Sequence, residues 1–255
     1  MFPSSLPPLD CHAHIAPDVT TAQLSGLNGA LVFAVTRTPA EALAASRRAD
    51  ATLLWGFGAH PALPGALAAL DPRLLESAVE THVLIGEIGL DRRGPTAAQQ
   101  DALEAVLGAC QGRPVLLSLH STGRTRQVLD ALRQQPHPGA ILHWFNGSAE
   151  QIAEGVELGC YFSVNNAMDD TRLALIPRRR MLPETDFPAS RKATQADRPG
   201  DIRALERRLS TRDGSPQSTI RAAWYRNLDC LVTSAGVRSR LPGRFQEVLD
   251  AAAGT

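Results

Sequence analysis

Eight short apolar runs of β-type residues recur along the chain, at 9–11, 30–35, 53–58, 82–85, 115–119, 140–143, 161–164 and 180–182. Stretches with apolar residues spaced three and four apart separate most of them, at 39–48, 74–80, 97–110, 125–133 and 149–158. Pro39 and Ser148 are helix-start signals, and Gly112 and Gly159 are stop signals. Strands separated by helices need right-handed crossovers, which make neighbouring strands parallel. Eight of them is the count of a (β/α)8 barrel, although a doubly wound open sheet has the same local pattern. Counting alone leaves both.

The alternation stops after residue 186. Residues 187–214 are rich in Arg, Asp, Pro and Gly, with a short helical pattern at 202–209; residues 219–232 and 243–253 read as two further helices. With no internal repeat or low-complexity tract, one domain over 1–255 is expected. The 187–214 segment would pack over one face or be partly mobile.

Charge is unevenly spread on a chain of zero net charge. Residues 1–169 carry 10 basic and 16 acidic side chains, and residues 170–255 carry 16 and 10, which permits a local anion-binding face. All the basic residues but Lys192 are arginine. No apolar run approaches the roughly 18 residues of a membrane span, and residues 1–8 lack the basic and apolar regions of a secretory leader. Cys11, Cys110, Cys160 and Cys230 lie far apart, as suits free thiols in a reducing compartment. The expectation is a soluble cytoplasmic protein with no membrane partner.

Five of the seven histidines (His12, His14, His60, His120 and His143) fall at or just after the C-terminal end of an expected strand, and Glu87 and Asp186 take the same relative place. In parallel α/β architectures those ends converge on one face, where active sites form. His12 and His14, two apart, point the same way and can chelate one ion. Asp10 has the same parity and could orient a ligand. Glu87 stands in the apolar run Gly86-Glu87-Ile88-Gly89-Leu90-Asp91, where burying a carboxylate is costly without a cation or hydrogen bonds. Asp91 reads as a loop-orienting group. Singly, each has a bland reading: loop histidines, a salt bridge for Glu87, a helix cap for Asp186. Jointly they supply enough donors for two divalent ions sharing a bridging carboxylate.

The ordered set resembles the TatD-type metal-dependent deoxyribonucleases of the amidohydrolase superfamily. The likeness runs over about residues 9–188 and rests on Asp10-Cys11-His12-Ala13-His14, Gly58-Ala59-His60-Pro61, residues 86–91, His120, residues 143–147 and Glu184-Thr185-Asp186. It implies a TIM-type barrel and two divalent ions (Zn, Mn or Mg). His12, His14, Glu87 and Asp186 would hold one ion, and Glu87, His120 and His143 the other. His60 would face the substrate phosphate. Asp186 would be the base that takes the proton of the attacking water.

The rim departs from the family pattern. His60-Pro61-Ala62 stands where His-Pro-His is usual, and Asp197-Arg198-Pro199-Gly200 replaces an Asn-Glu-Pro-like segment. Residues 236–242 echo the family's C-terminal motif only loosely. Divergent relatives include the TatD-like subunit of QatABCD anti-phage cassettes, so the resemblance also raises protein partners of a defence complex.

The leading function is a phosphodiesterase acting on single-stranded or frayed 3′ ends of DNA. Arg191, Lys192 and Arg198 would track the backbone, and Trp144 and Phe145 would be the stacking candidates on a chain poor in aromatics. The alternatives are a small-molecule hydrolase of the same superfamily and a non-catalytic partner-binding subunit. A bridge made by a carboxylated lysine is largely excluded, since Lys192 lies beyond the last strand.

Overall fold

The computed structural model describes residues 6–189 and 191–253; the reading of residues 1–8 falls largely outside them. Eight strands form one sheet: β1 (Leu9–Ala13), β2 (Leu31–Ala34), β3 (Leu53–Phe57), β4 (Leu84–Gly89), β5 (Leu116–His120), β6 (Ala140–His143), β7 (Tyr161–Val164) and β8 (Met181–Pro183). Their spatial order follows the chain, β1 through β8, and every pairing is parallel. A doubly wound sheet would reverse its order partway. Here the ends meet instead: Asp186 N donates to His12 O at 2.9 Å and His14 N to Phe187 O at 2.7 Å. The architecture is a nearly closed (β/α)8 barrel.

Local sequence explains the helices between strands. Thr38 accepts from Glu41 N ahead of Pro39 in the helix Pro39–Ala45. Ser148 and Gln151 form a capping box that starts Ala149–Glu157. Thr125–Gln134 buries Val128, Leu129 and Leu132, one stripe of an amphipathic helix lying on the barrel. The helix Gln217–Ser234 covers β8 and β1. There Asn227 donates to the Arg178 and Met181 carbonyls, and Tyr225 donates to that of Pro7.

Most strand boundaries shift by a residue or two from expectation, and three of the shifts are instructive. β1 extends to Ala13, so His12 lies inside it. β4 runs to Gly89, which puts Glu87 within the strand. Gly86 and Gly89 read as strand-breakers, yet they are what lets β4 continue: both have positive φ, and a Cβ at Gly89 would run into the His120 carbonyl of β5. β8 starts at Met181 because Arg178–Arg180 form a 3-10 turn. The short helices Thr21–Ser25, Pro64–Ala68, Asp170–Leu175 and Arg191–Thr194 escaped the periodicity reading, being too short to show one.

The segment after β8 is packed. Its helix Arg203–Asp213 buries Leu205 and Leu209, and the buried Glu206 carboxylate pairs with Arg221. No helix of the described residues is long and apolar enough to cross a membrane.

Candidate metal centre

The C-terminal ends of β1, β4, β5, β6 and β8 bring His12, His14, Glu87, His120, His143 and Asp186 together around the Glu87 carboxylate. Its Oε2 lies 3.3 Å from His14 Nε2 and 3.8 Å from His12 Nε2. Asp186 Oδ1 lies 3.6 Å from His14 Nε2 and 3.7 Å from His12 Nε2. The other oxygen, Oε1, lies 2.5 Å from His120 Nδ1, 3.1 Å from His143 Nε2 and 3.5 Å from His60 Nε2. Donors bound about 2.1 Å from one ion stand about 3.0–3.4 Å apart, so both sides of Glu87 are near ligand spacing. The donors do not divide cleanly into two sets. His143 also comes within 4.8 Å of His12 and Asp186, and His60 within that distance of Glu87 and His120.

Neighbours decide which nitrogen of each imidazole faces inward. His14 Nδ1 faces the Val35 carbonyl at 3.2 Å, which can only accept, so Nδ1 carries the hydrogen and Nε2 presents a lone pair. His120 Nε2 faces the Asp91 carboxylate at 2.8 Å, leaving Nδ1 free toward Glu87. His143 Nδ1 lies 3.5 Å from Glu184, an ion-pair approach without a hydrogen bond, and Nε2 faces inward. His12 Nδ1 meets Ser118 Oγ at 2.7 Å. Such outer partners fix the tautomer of metal-binding imidazoles. His60 is reversed: its Nδ1 accepts from Ala62 N at 3.0 Å, so the hydrogen sits on Nε2. A ligand needs a lone pair there, and His60 offers a donor.

Two inward atoms, His12 Nε2 and Glu87 Oε2, are buried with no hydrogen-bond partner. Buried polar atoms are normally satisfied, and a divalent cation satisfies both. His120 Nδ1 and His143 Nε2 stand only 3.1 Å apart, a crowding that a cation between them would relieve. The donor set fits metal ions.

Burial disfavours charge on every imidazole, and the carboxylates decide which ones resist. His14 is raised: burial opposes this, but Glu87 and Asp186 outweigh it. Against burial, Glu87 and Asp91 raise His120, and Glu184 and Glu87 raise His143 well above its usual value. Burial and the charge of His143 hold His12 well below its usual value, and burial lowers His60 to about 4. Burial would raise Glu87, yet the surrounding histidines hold it well below the carboxylate range. Asp186 is pushed up to about 7 by burial, with His143 opposing and Glu184 and Glu87 adding. The cluster therefore gathers protons on imidazoles that a divalent cation displaces.

Ser118 and Glu184 are additions to the sequence reading. Ser118 is the one polar residue between apolar neighbours on β5, a visible signal. Glu184 lies deeper than Asp186 and accepts from Ser163 and Asn165. Asp10 is fully buried and accepts from Thr185 N, Thr185 Oγ, Gly200 N and His12 N, tying β1 to the chain beyond β8.

On the rim, Trp144 is half-buried, while Phe145 is fully buried against Phe162 and is withdrawn as a stacking residue. Arg198 is half-buried beside His14 and Phe187, and Arg191 lies over the Phe187 ring at 5.2 Å. Lys192 is exposed.

Residues 9–232 match the model of the family described as TatD related DNase. The 3′-5′ ssDNA/RNA exonuclease TatD of Edwardsiella piscicida is 31% identical over 194 residues, covering 71% of this chain and 72% of that protein. Its namesake from Escherichia coli (strain K12) is 30% identical over 135 residues, 48% of this chain and 52% of that relative, about half its length. The crystal structure of a TatD homolog from Escherichia coli K12 superposes with a TM-score of 0.72 at 22% identity, over 87% of this chain and 97% of that one. A TatD family hydrolase from Entamoeba histolytica gives 0.68 at 15% identity, over 92% and 98%. At such identities the two structures speak to the barrel alone.

Proposed function

The chain belongs to the TatD related DNase family and is a metal-dependent nuclease, and on that premise we propose that it hydrolyses phosphodiester bonds at the 3′ ends of single-stranded or frayed DNA. The relatives named as 3′-5′ ssDNA/RNA exonucleases support that polarity and strandedness. The observation that carries the reading is the set of imidazoles turned lone-pair-inward on Glu87, beside two buried donor atoms without partners.

His12, His14, Glu87 and Asp186 would hold one divalent ion, and Glu87, His120 and His143 a second, with Glu87 shared. Four imidazoles weigh the set toward Zn over Mg, with Mn between. Such ions, when bound, polarise the phosphate and acidify a water. Asp186, held near neutrality by burial, takes the proton of the attacking water. His60 donates its Nε2–H to a phosphate oxygen as negative charge builds there. The water oxygen joins phosphorus, the bond to the 3′ oxygen breaks, and that oxygen receives the proton. Arg191, Lys192 and Arg198 attract the backbone, and Trp144 offers a face to a base.

The test uses chelator-stripped protein, re-supplied singly with Zn, Mn or Mg, on a 5′-labelled oligonucleotide. Stepwise loss of 3′ nucleotides only with added metal is expected. Cleavage in excess chelator would overturn the reading.

A further inference from the structure

A cavity of about 300 Å³ opens beside the centre, between the loop after β1 and the segment after β8. His14 is part of its wall, so the cavity is continuous with the proposed metal site. Ile15, Leu24 and Phe187 line it with apolar surface, and Asp18 and Arg198 add one charge of each sign. We infer that this cavity receives the base of the 3′-terminal nucleotide whose phosphodiester lies at the metal centre; the inference rests on the nuclease reading above.

Three observations select that occupant. The volume of about 300 Å³ is at the lower end of the about 300–1,000 Å³ range of small-ligand sites and has room for a nucleoside. The apolar surface of Ile15, Leu24 and Phe187 suits an uncharged heterocycle, with one charge of each sign beside it. The Arg198 guanidinium makes no hydrogen bond or ion pair among the described residues, since Asp201 is taken by Arg203. It is available to the phosphate that follows the base while the exposed Asp18 accepts from the base edge, and every base offers an N–H donor. Phe187 supplies an aromatic wall with the Arg191 cation over its ring. Stacking on such a wall is tolerant of base identity.

The wall is held in place. Phe187 O accepts from His14 N, and Asp10 grips Thr185 and Gly200 on either side of the Phe187–Arg198 stretch. A strand end entering the cavity would thereby be measured from the ligand His14. That would place the cavity to hold the base of a strand end at a fixed distance from the metal site.

The test compares two oligonucleotides on the metal-loaded enzyme, one ordinary and one whose 3′-terminal residue carries hydrogen in place of its base. Wild type should lose about tenfold or more in kcat/KM on the baseless end, mostly through KM. Ala16→Trp, at an exposed position on the cavity, and Val19→Trp, at a half-buried one, should lose a similar factor on the ordinary strand. Both should cleave the baseless strand like wild type, which also shows that they fold. Equal wild-type rates on the two strands would overturn the base pocket and leave the nuclease reading standing. No cleavage of either strand would overturn both.

Discussion

The metal centre and the arginine-rich segment that follows it are both dense in charge, but they handle it in opposite ways. In the centre the charges are buried, and each is aimed by a second residue: Asp91 on His120, Glu184 on His143, the Val35 carbonyl on His14. In the segment they are mostly exposed and neutralise one another: Arg203 with Asp201, Arg208 with Asp170, and Arg178 and Arg212 with Asp213. Exposed pairs of that kind are worth about 0–1 kcal/mol each and hold no fixed geometry. The excess of arginine is therefore largely spent inside the segment. Arg191, Lys192, Arg198 and Arg207 are in no ion pair among the described residues, and of these the first three, on the stretch just after Asp186, keep the reading of a phosphate-tracking face. Chemistry needs rigid placement and substrate capture tolerates slack, so the two regions should answer mutation on different scales.

The largest effect falls at the shared carboxylate. Glu87→Ala should lose bound metal and drop oligonucleotide cleavage to background, with circular dichroism unchanged because the barrel core lies elsewhere. Undiminished cleavage would sink a shared metal shell. Asp186→Ala should likewise stop turnover.

His60→Ala separates a donor to substrate from a ligand. Removing one preorganised donor costs about 10²–10³ in kcat, while metal content measured by atomic emission should stay at the wild-type ratio. Loss of an ion would reassign His60 to the metal shell, where its 3.5 Å approach to Glu87 would then be explained.

Asp91→Asn and Glu184→Gln keep shape and remove the charge that orients an imidazole. Outer partners of this kind are worth about 10–100-fold in metal affinity or activity, readable by competition with a chromogenic chelator. Unchanged affinity in both would mean that the histidines are aimed by packing alone, and the contrast between centre and rim would weaken.

The smallest effect belongs to the rim. Replacing Arg191, Lys192 and Arg198 with Ala should flatten the log–log salt dependence of single-strand binding by about two units, at roughly 0.7 per phosphate contact. Metal binding should be untouched. Equal slopes would make these three side chains surface charge like the rest of the segment.

Much of the candidate site was legible because its donors stand at strand ends in chain order, and residue type and position are both local properties. Glu87 was legible as costly to bury, while Asp91 was legible only as a loop-orienting or capping group, and its approach to His120 came with the structure. Ser118 and Glu184 were missed as partners because what they orient lies on another strand. Phe145 was misread for the same reason: its neighbour Phe162 comes from β7, and together they bury it. The end of β4 was misplaced because glycine reads as a break, whereas here it permits close approach to β5.

By itself the sequence determined the alternation of eight strands with helices, the order of the candidate metal donors and the charge excess of the last third. Periodicity and side-chain chemistry act over a few residues, so no distant partner is needed to read them. Only the tertiary structure decided that the sheet closes through His12–Asp186 and His14–Phe187, which nitrogen of each histidine faces Glu87, and which arginines are already paired. Each of those depends on atoms that meet from opposite ends of the chain, at distances and angles that the barrel's curvature sets.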